Sequence, residues 1–377
     1  MSKKFNNVWL YESALFIYFL YLEFNYLTNF RNFVSKIDVL ILIIVLSLLA
    51  SKEYITIYNN PLLNIKKSIS GFFFLVIVFF AFKLNYGWQL ILAYIFVLSA
   101  RDVNIENFLK PFLIATLLVI CATIICSKFN VIDSYLLYDN GRVRNSLGFL
   151  YPSHPAHLFF FWVSSYVVLK NKNIKYIELL ILLVFDFYFY VNTFTKDPFV
   201  LTIILILFTL ILKLKPNFLD NRTYIYISNI SFIVFPLLTL VFLYKAPNSW
   251  LLLINRLTNG RVMYALNALN KYGVHMLGQN VQFITRGNAT IFNQYDYVDS
   301  GYIQSLVICG ALFTVMMLLL YTKVIIDANK NKQELVSIVL FLIAIYNIFD
   351  PSFIYLWYNP FILLCGSYFS NNIKHYY

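Results

Sequence analysis

The chain has 377 residues, of which 60% are hydrophobic and only 12% charged, a balance that excludes a water-soluble domain and indicates an integral membrane protein. Its formal net charge of +12 suits a protein bordered by anionic lipid headgroups. Without a basic stripe at a nucleic-acid motif spacing, the same charge excludes nucleic acid as an expected partner.

A bilayer core about 30 Å thick takes roughly 20 apolar residues per helix. In chain order, runs of this character lie at 8–27, 37–51, 69–84, 88–100, 108–126, 155–169, 176–192, 198–212, 226–244, 302–321, 335–349 and 353–369. Those at 69–84, 108–126, 198–212, 226–244 and 302–321 are the clearest; the others are broken by tyrosines, asparagines or a single charge. The pattern predicts an all-α, polytopic membrane protein, a single domain over 1–377 with about twelve transmembrane helices. The runs are continuously apolar rather than alternating, so strands are not expected to span. The first run lacks a small-residue cleavage site and is expected to remain as an anchor. Most of the 38 Phe and 30 Tyr are read as packing, Phe against lipid and Tyr at the water interface. Cys121, Cys126, Cys309 and Cys365 fall within apolar runs without ligand-like spacing, which suggests neither disulfides nor a metal.

Two polar stretches, 127–154 and 245–301, interrupt the spans. With the N-terminus inside, most lysines and arginines fall on the cytoplasmic side, as the positive-inside rule requires, and both polar stretches face outward. There the rule fails: Lys128, Arg142, Arg144, Lys245, Arg256, Arg261, Lys271 and Arg286 are all outside. Long loops translocate regardless of charge, but the grouping of arginines marks a candidate site for a phosphorylated, lipid-linked substrate. An arginine stays charged and its fork matches phosphate oxygens bidentately. Such cations stabilise a pyrophosphate leaving group without a divalent metal, while an attacking sugar hydroxyl still needs a base within hydrogen-bond reach. Glu12, Glu23, Lys83 and Asp186 are the main ionisable groups within spans, and Asp186 is the deepest. Its expected role is a bond to neighbouring Tyr hydroxyls or backbone, since no chain of partners for a proton relay is visible.

The segment Arg142-Val-Arg144-Asn-Ser-Leu-Gly-Phe, followed by Tyr151-Pro152-Ser153-His154-Pro155, resembles the outer-loop signature of Wzy-type polysaccharide polymerases of the O-antigen polymerase and ligase superfamily. Thr193-Phe-Thr195-Lys196 is similar to that family's threonine-x-serine-arginine end of a span, and Leu257-Thr258-Asn259-Gly260-Arg261 to the opening of its long outer loop, with Leu277-Gly278-Gln279 following. Val298-Asp299-Ser300-Gly301-Tyr302, ahead of Cys309-Gly310, resembles its entry to the next helix. Lys196 stands where the family usually has arginine, and Ser300 where it has asparagine; a lysine keeps the charge but not the fork.

The resemblance covers roughly residues 140–320. It implies a metal-independent, cofactor-free, inverting glycosyltransferase with a helical membrane fold of the C type. This enzyme would polymerise undecaprenyl-pyrophosphate-linked oligosaccharide repeat units on the outer face of the bacterial plasma membrane, with both termini cytoplasmic. A chain-length regulator and a flippase are the partners such a system implies, beside membrane lipid. By residue, Arg142, Arg144 and Arg261 would hold pyrophosphate, with Lys196, Arg256 and Arg286 as secondary candidates. Asp299 is the first candidate base and His154 the second. Asp299 equally suits an N-cap of the helix starting near Tyr302, and His154 a helix start before Pro155. An O-antigen ligase shares the superfamily and stays open, as does a peptidoglycan-type polymerase. A lipid-linked oligosaccharide flippase is disfavoured by the long loops and the absence of an internal repeat.

Overall fold

The computed structural model describes residues 7–59, 65–85, 87–139, 141–216, 218, 221–285 and 295–370. Among them the chain is almost wholly helical. The first half holds α1 (Val8–Leu27), the single turn α2 (Arg31–Val34), α3 (Asp38–Asn59), α4 (Ile65–Phe82), α5 (Gly87–Ser99) and α6 (Glu106–Lys128). A two-stranded antiparallel hairpin follows, β1 (Leu136–Asp139) and β2 (Arg142–Asn145). Then come α7 (His154–Lys170), α8 (Tyr176–Thr193), α9 (Lys196–Leu214), α10 (Arg222–Lys245), α11 (Asn248–Leu257), α12 (Arg261–Tyr272), α13 (Gly301–Ile308), α14 (Ala311–Lys330) and α15 (Glu334–Tyr346).

Among the described residues six helices, against the about twelve spans expected from sequence, are long and apolar enough to cross a membrane: those over Asp38–Tyr58, Glu106–Lys128, Tyr176–Thr193, Lys196–Leu214, Arg222–Lys245 and Ala311–Lys330. Unlike in a soluble bundle, apolar side chains cover the exterior as well as fill the core. Val39, Leu40 and Ile43 on α3, Leu180 and Val184 on α8, and Leu237, Leu238 and Val241 on α10 are exposed, whereas Ser164, Ser165, Thr202 and Thr209 are buried. Each of these four hydroxyls donates to the carbonyl four residues earlier in its own helix, at 2.8 Å in every case. Small polar side chains satisfied in this way let helices approach closely while the apolar exterior faces lipid. The result is a membrane protein in its surface chemistry as well as its composition.

Two apolar runs differ from the sequence expectation. The run 302–321 is not one helix but α13 and α14, broken at Cys309-Gly310. Gly310 has φ +88, and a Cβ there would lie 2.8 Å from the Met276 carbonyl oxygen. The backbone groups freed by the break are taken up by the incoming loop: Ala311 N–H donates to His275 O at 2.8 Å, Gly278 N–H to Cys309 O at 3.1 Å and Gln279 N–H to Ile308 O at 3.0 Å. A helix interrupted at membrane depth is stable only where other protein satisfies it in this manner. The run 353–369 is not an α-helix either; it forms 3-10 turns at Ser352–Ile354 and Pro360–Phe369. Pro360 to Ser367 are all buried, and Gly366 lets the segment press against the Val97 carbonyl of α5. It is an interior strut rather than a lipid-facing span.

Neither long polar stretch is featureless. The first carries the hairpin, whose return strand is fixed to the end of α1: Asn29 N–H donates to Gly148 O at 3.0 Å and Leu150 N–H to Leu27 O at 2.9 Å. The second carries α11 and α12 and is stitched to the α4–α5 connection through Asn85, whose amide donates to Gln279 O at 2.6 Å while its carbonyl accepts from Val281 N–H at 2.9 Å. Elsewhere, α3 is tied to the end of α5 by a compact charged knot. Buried Lys52 donates to Glu53 at 3.0 Å and to the Ser99 carbonyl at 2.6 Å, and Arg101 pairs with the same glutamate.

Candidate functional site

Six separate pieces of chain converge where α8 ends and α7 and α9 begin. Strand β2 supplies Arg144, because alternation along the strand sends Val143 to solvent and Arg144 into the protein. The start of α7 supplies His154 and His157, three residues apart and therefore on one helical face. Asp197 lies in the first turn of α9. Arg261 opens α12 directly after Gly260, whose φ of +91 allows the reversal from α11. Asp299 precedes α13 by two residues, and Asp350 follows α15.

Arg261 is the electrostatic centre. Its Nη1 donates to Asp197 Oδ2 at 2.7 Å and its Nε to Asp299 Oδ2 at 3.2 Å; Nη2 carries no hydrogen bond to a described residue. The guanidinium is held firmly in its charged form by the two carboxylates, which outweigh the cost of burial. Burial raises the Asp299 carboxyl to about 6 against the pull of Arg261. It raises Asp350 to about 7, again opposed by Arg261 and reinforced by the negative charge of Asp197. One cation shared among three carboxylates cannot keep all of them fully ionised.

Arg144 is buried beside this centre. Its Nε donates to the Thr193 carbonyl at 2.7 Å and its Nη2 to Thr195 Oγ1 at 3.2 Å, and the guanidinium lies over the Tyr151 ring at 5.4 Å. It therefore locks the hairpin to the α8–α9 turn, with one nitrogen left over. His154 Nδ1 shares a short hydrogen bond with the Tyr358 hydroxyl. His157 Nδ1 lies 3.2 Å from Asp350 Oδ2. The Tyr358 ring is within 5.6 Å of His157, so the C-terminal segment closes the back of the site.

Of the residues singled out from sequence, Arg144, Arg261, Asp299 and His154 come together here. Arg142 shares the inward strand face with Arg144 and pairs in register with Asp139. Lys196 is exposed at the start of α9, and Arg256 is exposed on α11; neither is joined to the cluster by a hydrogen bond or ion pair. Arg286 lies outside the described residues. Asp197, His157, Asp350 and Tyr358 were not singled out. Two of them had a local signal: Asp197 directly follows Lys196, and His157 repeats His154 at helical spacing. Among the described residues no group of three His, Cys, Asp or Glu side chains is arranged to hold a metal ion.

No protein-family model, curated protein or solved structure matches the chain.

Proposed function

We propose that this protein is a membrane glycosyltransferase that joins undecaprenyl-pyrophosphate-linked oligosaccharide repeat units into a surface polysaccharide, by inverting transfer on the outer face of a bacterial plasma membrane. The observation that carries this reading is Arg261. It is oriented by Asp197 and Asp299, sits beside Arg144, and opens a helix on the stretch expected from the sequence to face outward. Arg261 and Arg144 each keep one guanidinium nitrogen unspent, enough to grip the phosphates of a leaving group that is already a weak base. The lipid-facing exterior of α8 and α10 suits a donor whose isoprenoid tail stays in the bilayer.

In the transfer, an acceptor hydroxyl attacks the anomeric carbon, the carbon–oxygen bond to pyrophosphate breaks, and the electron pair leaves with the lipid pyrophosphate. Arg261 and Arg144 stabilise that departing charge, and a base takes the hydroxyl proton.

The test is the surface-glycan profile of a deletion strain complemented with wild type, Arg144→Ala or Arg261→Ala, with membrane levels of each protein checked. Single repeat units without a ladder in the null and Arg261→Ala strains are the expected result. Long chains persisting in the null strain would overturn the reading, and transfer of intact chains to an acceptor would shift it to a ligase.

A further inference from the structure

The transfer needs a base, and the cluster contains several groups that differ in what they have left to offer. Asp197 and Asp299 each give an oxygen to Arg261, so drawing a proton to either weakens the clamp on the cation that must hold pyrophosphate. His154 has its Nδ1 engaged by a phenol, Tyr358, which offers little stabilisation to an imidazolium. His157 differs from both. Its Nδ1 faces the Asp350 carboxylate at 3.2 Å, its Nε2 makes no hydrogen bond to a described residue, and the rings of Tyr346 and Tyr358 hold it from two sides at 5.8 and 5.6 Å. The side chain keeps 10% of its surface exposed.

Resting on the reading above, we infer that His157, oriented by Asp350, is the residue that accepts the proton of the attacking sugar hydroxyl. In its ionised form Asp350 fixes the tautomer with the lone pair on Nε2 and stabilises the imidazolium once formed, so the pair works as base above the range in which Asp350 is protonated. As the acceptor oxygen bonds to the anomeric carbon, its proton passes to His157 Nε2, the bond to the pyrophosphate oxygen breaks, and the lipid pyrophosphate departs against Arg261. The proton then returns to water when product leaves. The pair divides the labour with the clamp: Asp197 and Asp299 serve the cation, and Asp350 serves the base. The other charged and titratable groups facing His157 are Asp197 from α9, Arg261 from α12, Arg144 from the hairpin, His154 from its own helix, Tyr346 from α15 and Tyr358 from the C-terminal segment.

The experiment uses the full-length protein in lipid nanodiscs and lipid-linked repeat units extracted from a strain deleted for it. The rate of chain growth is measured against pH for wild type, His157→Gln, Asp350→Asn and His154→Gln. His157→Gln is expected to lower kcat by on the order of 10²–10⁴-fold, with KM and melting temperature little changed, and to abolish the acid limb of the pH profile. Asp350→Asn should lower kcat less and shift that limb. If His157→Gln retains kcat within about threefold of wild type with the limb intact, the inference is wrong; if His154→Gln alone removes the limb, the base is His154. Should His157→Gln not fold, an Asp350→Asn profile superimposable on wild type overturns the assignment equally. Wild type that makes no polymer from these units overturns the polymerase reading, whereas active wild type with active His157→Gln overturns only the choice of base.

Discussion

Arg261 and Asp197 stand 64 positions apart in sequence and 2.7 Å apart in space, an ion pair that fastens the first turn of α12 to the first turn of α9. With Asp299 on the other edge of the same guanidinium, the fork geometry is used on two sides at once, which an ammonium cannot reproduce. Arg261→Lys is therefore expected to lose at least about tenfold in polymer formation although it keeps the charge. Arg261→Ala leaves Asp197 and Asp299 without their cation and is expected to cost roughly 1–3 kcal/mol, less than a fully buried pair because the arginine is 33% exposed. Adding Asp197→Asn to Arg261→Ala should recover part of the melting temperature and none of the activity. Full activity in Arg261→Lys would remove this residue from the centre of the mechanism.

The raised carboxyls set a direction for stability against pH. Asp299 and Asp350 titrate at about 6 and about 7 in the folded protein, against 3.8 for an unperturbed aspartate, chiefly because burial disfavours their charged forms. The folded state then binds more protons than the unfolded state between these values, so the contribution is complete below about pH 4 and is lost as pH rises through 6 and 7. Melting temperature in nanodiscs is expected to fall between about pH 6.5 and pH 8, above the ordinary histidine range, as Asp350 ionises, and the slope to flatten in Asp350→Asn. A wild-type melting temperature that rises over that window contradicts the assignment of buried, partly protonated carboxyls.

The hairpin that carries Arg144 depends on one glycine more than another. Gly148 has φ +85, and a Cβ on it would sit 2.8 Å from Ser127 Cβ and 2.9 Å from the Thr123 carbonyl oxygen of α6. Gly141, at the hairpin turn, has φ +76 with nothing within 4 Å. Gly141→Ala should cost only the left-handed backbone strain, about 1–2 kcal/mol. Gly148→Ala must in addition push the chain off α6, drawing Arg144 away from Thr193 and Thr195. Equal melting temperatures and equal activities for the two variants would show that the hairpin need not dock on α6.

How much of this was legible in the sequence follows from the range of each interaction. Helices such as α6 and α9 announce themselves through unbroken apolar runs, because lipid imposes the same demand on every residue of a span. The break at Gly310 did not, because it is stabilised by a loop arriving from residues 275–279, and a local pattern carries no trace of a distant partner. The C-terminal run 353–369 is apolar for a different reason: apart from Tyr368 it is enclosed by protein and so need not be an α-helix. At the site, Arg261, Asp299, Arg144 and His154 stood out because they lie on polar stretches expected to face outward and within the segments that carry the resemblance. Asp197 and Asp350 lie at helix ends, where an aspartate ordinarily serves as a cap or a solvated charge, and only the fold brings them to Arg261 and His157.

Asp186 is a buried carboxyl that the proposed transfer does not use. It lies on α8 with 4% of its surface exposed, and its Oδ2 has no hydrogen-bond partner among the described residues. The anchoring Tyr hydroxyls expected from the sequence do not reach that oxygen. None of the cluster around Arg261 is hydrogen-bonded to Asp186. A buried polar atom left unsatisfied costs about 1–3 kcal/mol, and replacing it by an apolar group of similar size removes that cost. Asp186→Leu is thus expected to form polymer as wild type does, with an equal or higher melting temperature. If the variant folds normally yet produces only single repeat units, Asp186 takes part in moving protons or substrate through the bundle, and the site extends well beyond the end of the helices where Arg261 sits.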